Sequence, residues 1–207
     1  MLLEFKEYKE ALPEKAVLPE LEYSYKEVEE LMSEEMLKLH YTKLHQGYID
    51  RYNKGIEKMK IKSIGEPKTQ EEKSLMFNLG GYLNHALFWR SFSPYERNYE
   101  CSKELGSLVK DAFGGMEKLF ELFESKLPLI MGSGWIWLVY NRKTKKLEVE
   151  ITMNQDFPQE GVLLLNIDMW EHAYYLQYKV DKIKYLKTVC KTLNWRYASE
   201  RLKKASQ

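Results

Sequence analysis

The stretch Trp135-Ile136-Trp137-Leu138-Val139-Tyr140, followed by Asn141-Arg142-Lys143-Thr144-Lys145-Lys146 and then Leu147-Glu148-Val149-Glu150-Ile151-Thr152-Met153, decides the fold. Two runs of strand length flank a charged turn. In the second run Leu147, Val149, Ile151 and Met153 alternate with Glu148, Glu150 and Thr152, the two-residue period of a strand with one wet face. A third run, Val162-Leu163-Leu164-Leu165-Asn166-Ile167, is apolar without alternation and reads as a more central strand. Helical patterns precede these runs at 102–112 and 116–126, separated by Gly114-Gly115 and ended near Pro128. After them a helix is expected from Met169 to about Cys190, and a further helical tail from Asn194. The second half is therefore predicted as an α+β domain, a three-stranded antiparallel sheet with helices on one side.

The first half carries helical signals only. Ser24 and Glu27 form a capping box for a short helix through Met32, and Ser33 caps the next, with Glu34 and Glu35 in its first turn. Met36, His40, Leu44, Tyr48 and Arg51 then fall on one stripe of a helix running to about Lys60, before the break at Ile64-Gly65-Glu66-Pro67. Thr69 and Glu72 make a second capping box, and the helix they open carries Leu75, Leu79, Leu83, Ala86 and Leu87 on one side and ends at Ser93-Pro94. Gly80 and Gly81 inside it each cost about 1 kcal/mol relative to alanine, which predicts a close backbone approach there. The expected organisation is an extended arm over 1–20, an all-α helical hairpin domain over 21–98 and the α+β domain over 99–207, with the boundary near 93–101.

The 207 residues, 44% hydrophobic and 14% aromatic, suffice for a cooperative core. Lys and Arg number 32 against 31 Asp and Glu, a net charge of +1 that gives no support to nucleic-acid binding. Cys101 and Cys190 are the only cysteines, so a disulfide scaffold and a multi-cysteine metal site are excluded. The start, MLLEFKEYKE, carries charges where a secretory signal needs an apolar run, and no stretch approaches the roughly 20 apolar residues of a membrane span. A soluble cytoplasmic protein is the expectation.

Four histidines are present, His40, His45, His85 and His172. His40 and His85 lie on inward stripes, whereas five residues of regular α-helix turn His45 about 140° from His40. Asp168 and His172 stand four residues apart in Asp-Met-Trp-Glu-His, where an apolar strand meets a helix; there Asp168 also suits an N-cap with Glu171 as its capping-box partner. Three histidines and an aspartate fit zinc, iron or manganese by ligand type. Residue chemistry alone leaves open a redox metal site walled by Trp135, Trp137, Trp170 and tyrosines, a zinc hydrolase, and a metal-free helical interaction protein whose histidines only fill the core.

The segments LHYTKLHQGYIDRYN (39–53), NLGGYLNHALFW (78–89), GSGWIWLV (132–139), NQD (154–156) and IDMWEHAYYLQY (167–178) resemble the iron/manganese superoxide dismutases, in family order and over nearly the whole chain after about residue 18. The resemblance implies one manganese or iron ion per subunit, held by His40, His85, Asp168 and His172, and conversion of superoxide to dioxygen and hydrogen peroxide. It implies that Tyr48 stands at the substrate entrance, that Gln155 bonds the solvent at the metal, and that Trp135 and Trp170 wall the pocket. Glu171 matches a residue that hydrogen-bonds a partner subunit's ligand histidine, and Tyr175 an interface tyrosine, so a homodimer or dimer of dimers is expected. Gln155 opposite Gly81 resembles the manganese type, because many iron enzymes of the family place the glutamine at the position of Gly81. Two departures stand out: Leu44 occupies a position where many members have a histidine at the mouth, and the family's Asn and Arg-Pro pieces are missing from Lys179-Val180-Asp181-Lys182-Ile183-Lys184-Tyr185.

Overall fold

The computed structural model describes residues 6–94, 97 and 100–206. The expected domain boundary at 98/99 and the first five residues of the arm lie outside the described residues. The arm opens with a short helix, α1 (Lys6–Glu10), and is extended only beyond it. It is docked along the hairpin: Leu12 and Ala16 are buried, Leu12 N donates to Lys62 O, and the Tyr52 hydroxyl donates to Pro13 O at 2.7 Å. Short runs without helical period can thus still be fixed by backbone hydrogen bonds to neighbouring elements.

Ser24 and Glu27 bond as expected, Ser24 N donating to Glu27 Oε2 at 2.7 Å, but only a single 3-10 turn (Lys26–Val28) follows. Ser33 then caps α2 (Glu34–Leu39), its Oγ accepting from Met36 N. The chain does not continue as regular α-helix. His40–His45 is a π-helical turn, in which Gln46 N donates to Tyr41 O, and α3 (Gln46–Met59) follows directly. Lys60 ends it in the left-handed conformation. The Thr69–Glu72 capping box is complete at the start of α4 (Gln70–Ser91), which returns antiparallel to α3. The expected close approach is real. A Cβ at Gly80 would lie 2.1 Å from Gln155 O, and one at Gly81 would lie 2.4 Å from the Tyr48 ring.

Beyond Ser102, whose side chain caps it, α5 (Lys103–Phe113) leads through Gly114 and Gly115 into α6 (Met116–Lys126). Three strands follow, β1 (Gly134–Asn141), β2 (Lys146–Met153) and β3 (Val162–Asp168), in the antiparallel order β2-β1-β3. The central strand is therefore β1, not β3. The apolar run of β3 reflects coverage by helices at the sheet edge, since α4 packs against it and all seven of its residues are buried. Both faces of β1 are covered: consecutive residues Trp135 to Tyr140 are all buried, and successive strand residues face opposite ways. The expected helix from Met169 to Cys190 is broken into a 3-10 turn (Glu171–Ala173), α7 (Tyr175–Tyr178) and α8 (Lys182–Thr192). Lys179 adopts a positive φ of 54° between the last two, and the Asp181 side chain caps α8 by accepting from Lys184 N. Asn194 caps the last helix, α9 (Trp195–Ala205), which also covers β3.

Candidate metal centre

The π-turn delivers His40 at its first residue, α4 delivers His85, the end of β3 delivers Asp168, and the turn after it delivers His172. One ligand-type atom from each lies within 4.8 Å of all the others. Three are fully buried, and the His172 side chain is 18% exposed. Asp168 Oδ2 is the common neighbour, 3.2 Å from His40 Nε2, 3.5 Å from His85 Nε2 and 3.2 Å from His172 Nε2.

Asp168 is not the cap of a helix with Glu171. Its Oδ1 accepts from Trp170 N at 2.9 Å, its Oδ2 faces the histidines, and Glu171 is exposed. The strand end turns the carboxylate inward before any helix can use it.

These residues fit a metal ion on two grounds. The Nε2 atoms of His40 and His85 are buried and have no hydrogen-bond partner of proper geometry, a cost of about 1–3 kcal/mol each unless an ion is shared. His85 Nδ1 donates to Gly81 O at 2.7 Å, which leaves its Nε2 as the bare, ligating nitrogen. Electrostatics agree. Burial would raise the Asp168 carboxyl, but the charge and hydrogen bond of His172, then the proximity of His40, hold it well below the usual carboxylate range. Burial, and next the charge of His172, draw His40 down to about 4, and burial likewise takes His85 well below 6.5. An anionic Asp168 and neutral His40 and His85 are the protonation states a cation needs.

Around the cluster, Gln155 Nε2 donates to the Tyr48 hydroxyl at 3.1 Å, and Asn84 Nδ2 donates to Gln155 Oε1 at 3.1 Å. Burial raises the Tyr48 hydroxyl, opposed by its bond from Gln155, so it keeps its proton at neutral pH. Trp135 meets His85 edge-on at 5.1 Å, and Trp170 stacks on His172 at 5.4 Å. Both indoles donate to Asn154 O at 3.0 Å. Asn154 has a φ of 50°, a left-handed conformation that asparagine tolerates, and this turn aims its carbonyl at both rings. Glu171 and Tyr175 do not reach the cluster. With Leu39, Leu44, His40 and His172 they line an open cavity of about 360 Å³, and Tyr175 is 48% exposed.

Three contributors escape the sequence reading. His45 is fully buried, because five residues span about one turn of a π-helix. Its ring stacks on His85 at 5.3 Å, its Nδ1 accepts from Trp89 Nε1 and its Nε2 donates to Tyr82 O. Asn84, which orients Gln155, had only its place beside His85 as a signal, and Asn154 only its place in a tight turn.

A three-stranded antiparallel sheet joined to a helical hairpin, with a His3Asp cluster between them, defines a mononuclear metalloenzyme. The pattern of "Iron/manganese superoxide dismutases, alpha-hairpin domain" matches residues 15–93, and that of "Iron/manganese superoxide dismutases, C-terminal domain" matches residues 101–201. The chain belongs to the iron/manganese superoxide dismutases. It is 40% identical over 192 residues to a mitochondrial manganese superoxide dismutase of Arabidopsis thaliana, covering 88% of this chain and 83% of that one. It is 41% identical over 197 residues to one from Cryptococcus neoformans and 37% identical over 198 residues to one from Onchocerca volvulus, covering in both cases 92% of this chain and 88% of the relative. Superoxide is the substrate, and dismutation to dioxygen and hydrogen peroxide is the reaction. These relatives are all named mitochondrial, which overturns the cytoplasmic expectation: that expectation rested on the test for a secretory signal, which does not bear on a mitochondrial address. Among the described residues no helix is long and apolar enough to cross a membrane.

Proposed function

We propose that the chain is a manganese-preferring dismutase of the mitochondrion, acting as a homodimer or dimer of dimers, with His40, His85, Asp168 and His172 as the ligands. The observation that carries the metal preference is the bond from Gln155 to Tyr48 beside Gly81, where no side chain has room. The glutamine comes from the sheet side and the opposing helix position is closed to a second one. The bound ion supplies alternate one-electron oxidation and reduction of two superoxide anions, while two protons come from elsewhere.

Tyr48 holds one such proton. Its oxygen accepts from Gln155, so its own hydroxyl hydrogen is directed away from that bond. Asn84 fixes the amide of Gln155, and with it the position of the Tyr48 oxygen. Trp135 and Trp170 exclude all but small molecules from the cluster. Glu171 and Tyr175 are assigned to the subunit interface, for which their exposure at the mouth is support. The division into arm 1–20, hairpin 21–98 and α+β domain 99–207 is proposed on the same family pattern.

Reconstituting the apoprotein separately with manganese and iron, and measuring activity per bound ion, tests the preference: high activity with iron and almost none with manganese overturns it. Sedimentation at micromolar concentration tests the assembly. A dimer weakened by Glu171→Ala, by about 1–3 kcal/mol if a buried acceptor is lost, supports it, and a monomeric wild type refutes it.

A further inference from the structure

We propose that Arg51 recruits the substrate anion to the Tyr48 side of the metal centre, as a fixed guanidinium beside the entrance. The proposal rests on the placement of Tyr48 at that entrance. Arg51 lies on α3, one turn beyond Tyr48, and its side chain folds back along the helix. The guanidinium carbon sits 5.0 Å from the Tyr48 ring centroid, a cation–π contact. Gly47 makes this possible, since a Cβ there would lie 3.0 Å from Arg51 Nη1.

The side chain is anchored as well as stacked. Its Nε donates to Asn78 Oδ1 at 2.8 Å, and Asn78 is itself 5% exposed and held by donation of its Nδ2 to Ser74 O at 2.7 Å. With Nε engaged, the rest of the guanidinium lies over the Tyr48 ring and along Gly47, and the residue as a whole is exposed. Among the described residues Arg51 makes no ion pair: Asp50 accepts from Gln46 instead, and Glu71, which lines the same groove as Arg51, forms none with it. A charge that no carboxylate neutralises, held against an active-site tyrosine, is not what helix solvation alone requires.

The position matters for a small anion. The steps from guanidinium to Tyr48 ring and from Tyr48 ring to His85 ring are 5.0 and 5.3 Å, together about one Debye length at 0.1 M salt. A guanidinium stays charged at every working pH, so the attraction is constant. The six lysines between Lys54 and Lys73, against four glutamates, also give a local positive excess. Among the described residues, however, the cation over the Tyr48 ring is Arg51. An entrance with one fixed charge raises local anion concentration without binding the anion so tightly that it stalls.

The test compares wild type with Arg51→Gln, Arg51→Glu and Arg51→Lys as metal-loaded enzymes. Two quantities are read at low salt and near 0.5 M salt: kcat/KM for superoxide, and the dissociation constant of azide, a small monovalent anion, by absorption titration. At low salt, kcat/KM is expected to fall about 2- to 5-fold in Arg51→Gln and further in Arg51→Glu, with Arg51→Lys close to wild type. Azide should bind more weakly in the same order, and the differences should vanish at high salt while metal content stays constant. Equal kcat/KM and equal azide affinity across the series at low salt overturn the proposal. A loss that persists at high salt and is not restored by Arg51→Lys also overturns it, assigning Arg51 to packing of Tyr48. The placement of Tyr48 is tested separately by Tyr48→Phe turnover, and the azide series decides Arg51 in either case.

Discussion

The cluster and its mouth are built on opposite terms. Inside, most side chains are held by groups of this chain: His85 by Gly81 O, Gln155 by Asn84, Tyr48 by Gln155, and both indoles by Asn154 O, while neither ring nitrogen of His40 has a hydrogen-bond partner. At the mouth, Glu171 and Tyr175 are exposed, and Leu44 is 36% exposed where the family resemblance leads one to expect an imidazole. The rim is open to solvent. Substitutions inside should therefore act on metal and fold, and substitutions at the rim on association and proton supply.

The largest effect is expected from His172→Ala, which should lose most bound metal and nearly all dismutase activity, because three remaining ligands leave an open site. Elemental analysis of the purified variant checks it, and stoichiometric metal with normal activity would remove His172 from the interior group.

Acid should reveal the same region without mutation. Burial holds His45 down to about 3 and His40 to about 4, against an ordinary 6.5. Between those values and 6.5 the unfolded chain binds protons that the folded metal-free protein refuses. Stability is thus full above about pH 6.5 and falls as pH drops toward 4, by on the order of 2 kcal/mol or more per histidine. Urea midpoints of the apoprotein that do not change between pH 7.5 and 5 would contradict this.

Gly80→Ala comes next. Its methyl would meet the backbone oxygen of Gln155, which can move only with the turn that carries it, so a loss of about 1–3 kcal/mol is expected, with lower turnover as Gln155 shifts. Thermal unfolding together with activity per metal would show whether the two losses travel together. The smallest effect belongs to the rim: Leu44→His should alter the pH dependence of turnover while metal content stays constant. Coincident pH–rate profiles for the two proteins would show that this position takes no part in proton delivery.

Legibility in the sequence follows the same division between local and collective causes. Ser33, Thr69 with Glu72, and Asn194 act within three residues of themselves, and their helix starts stand where they were read. Gly80 and Gly81 announced a close approach by their cost in a helix, although the partners, Gln155 and Tyr48, come from distant parts of the chain. The candidate metal ligands are legible only through family resemblance, since spacing alone favours histidines that fill the core. Strand order was not legible, because an apolar run reports burial on both faces and not which neighbour pairs with it. The break at Lys179–Asp181 likewise depends on a backbone turn taken by a lysine, a residue that gives no warning of positive φ. His45 was read as facing outward because the regular helical period was applied through a segment that does not keep it.

That segment has a consequence for the chain as a ruler. A π-turn is a helix that has accommodated one supernumerary residue, so the elements on its two sides are out of phase by about 100° relative to an unbroken α-helix. His40 belongs to the upstream phase; His45, Tyr48 and Arg51 belong to the downstream one. Excising a single residue between Tyr41 and Leu44 would leave composition, length and helix propensity almost untouched, yet it would swing Tyr48 off Gln155 and Arg51 off Asn78 in one motion. The halves of this helix that carry His40 and Tyr48 are thus synchronised by one residue's worth of chain, a register that no side-chain substitution at either half can restore.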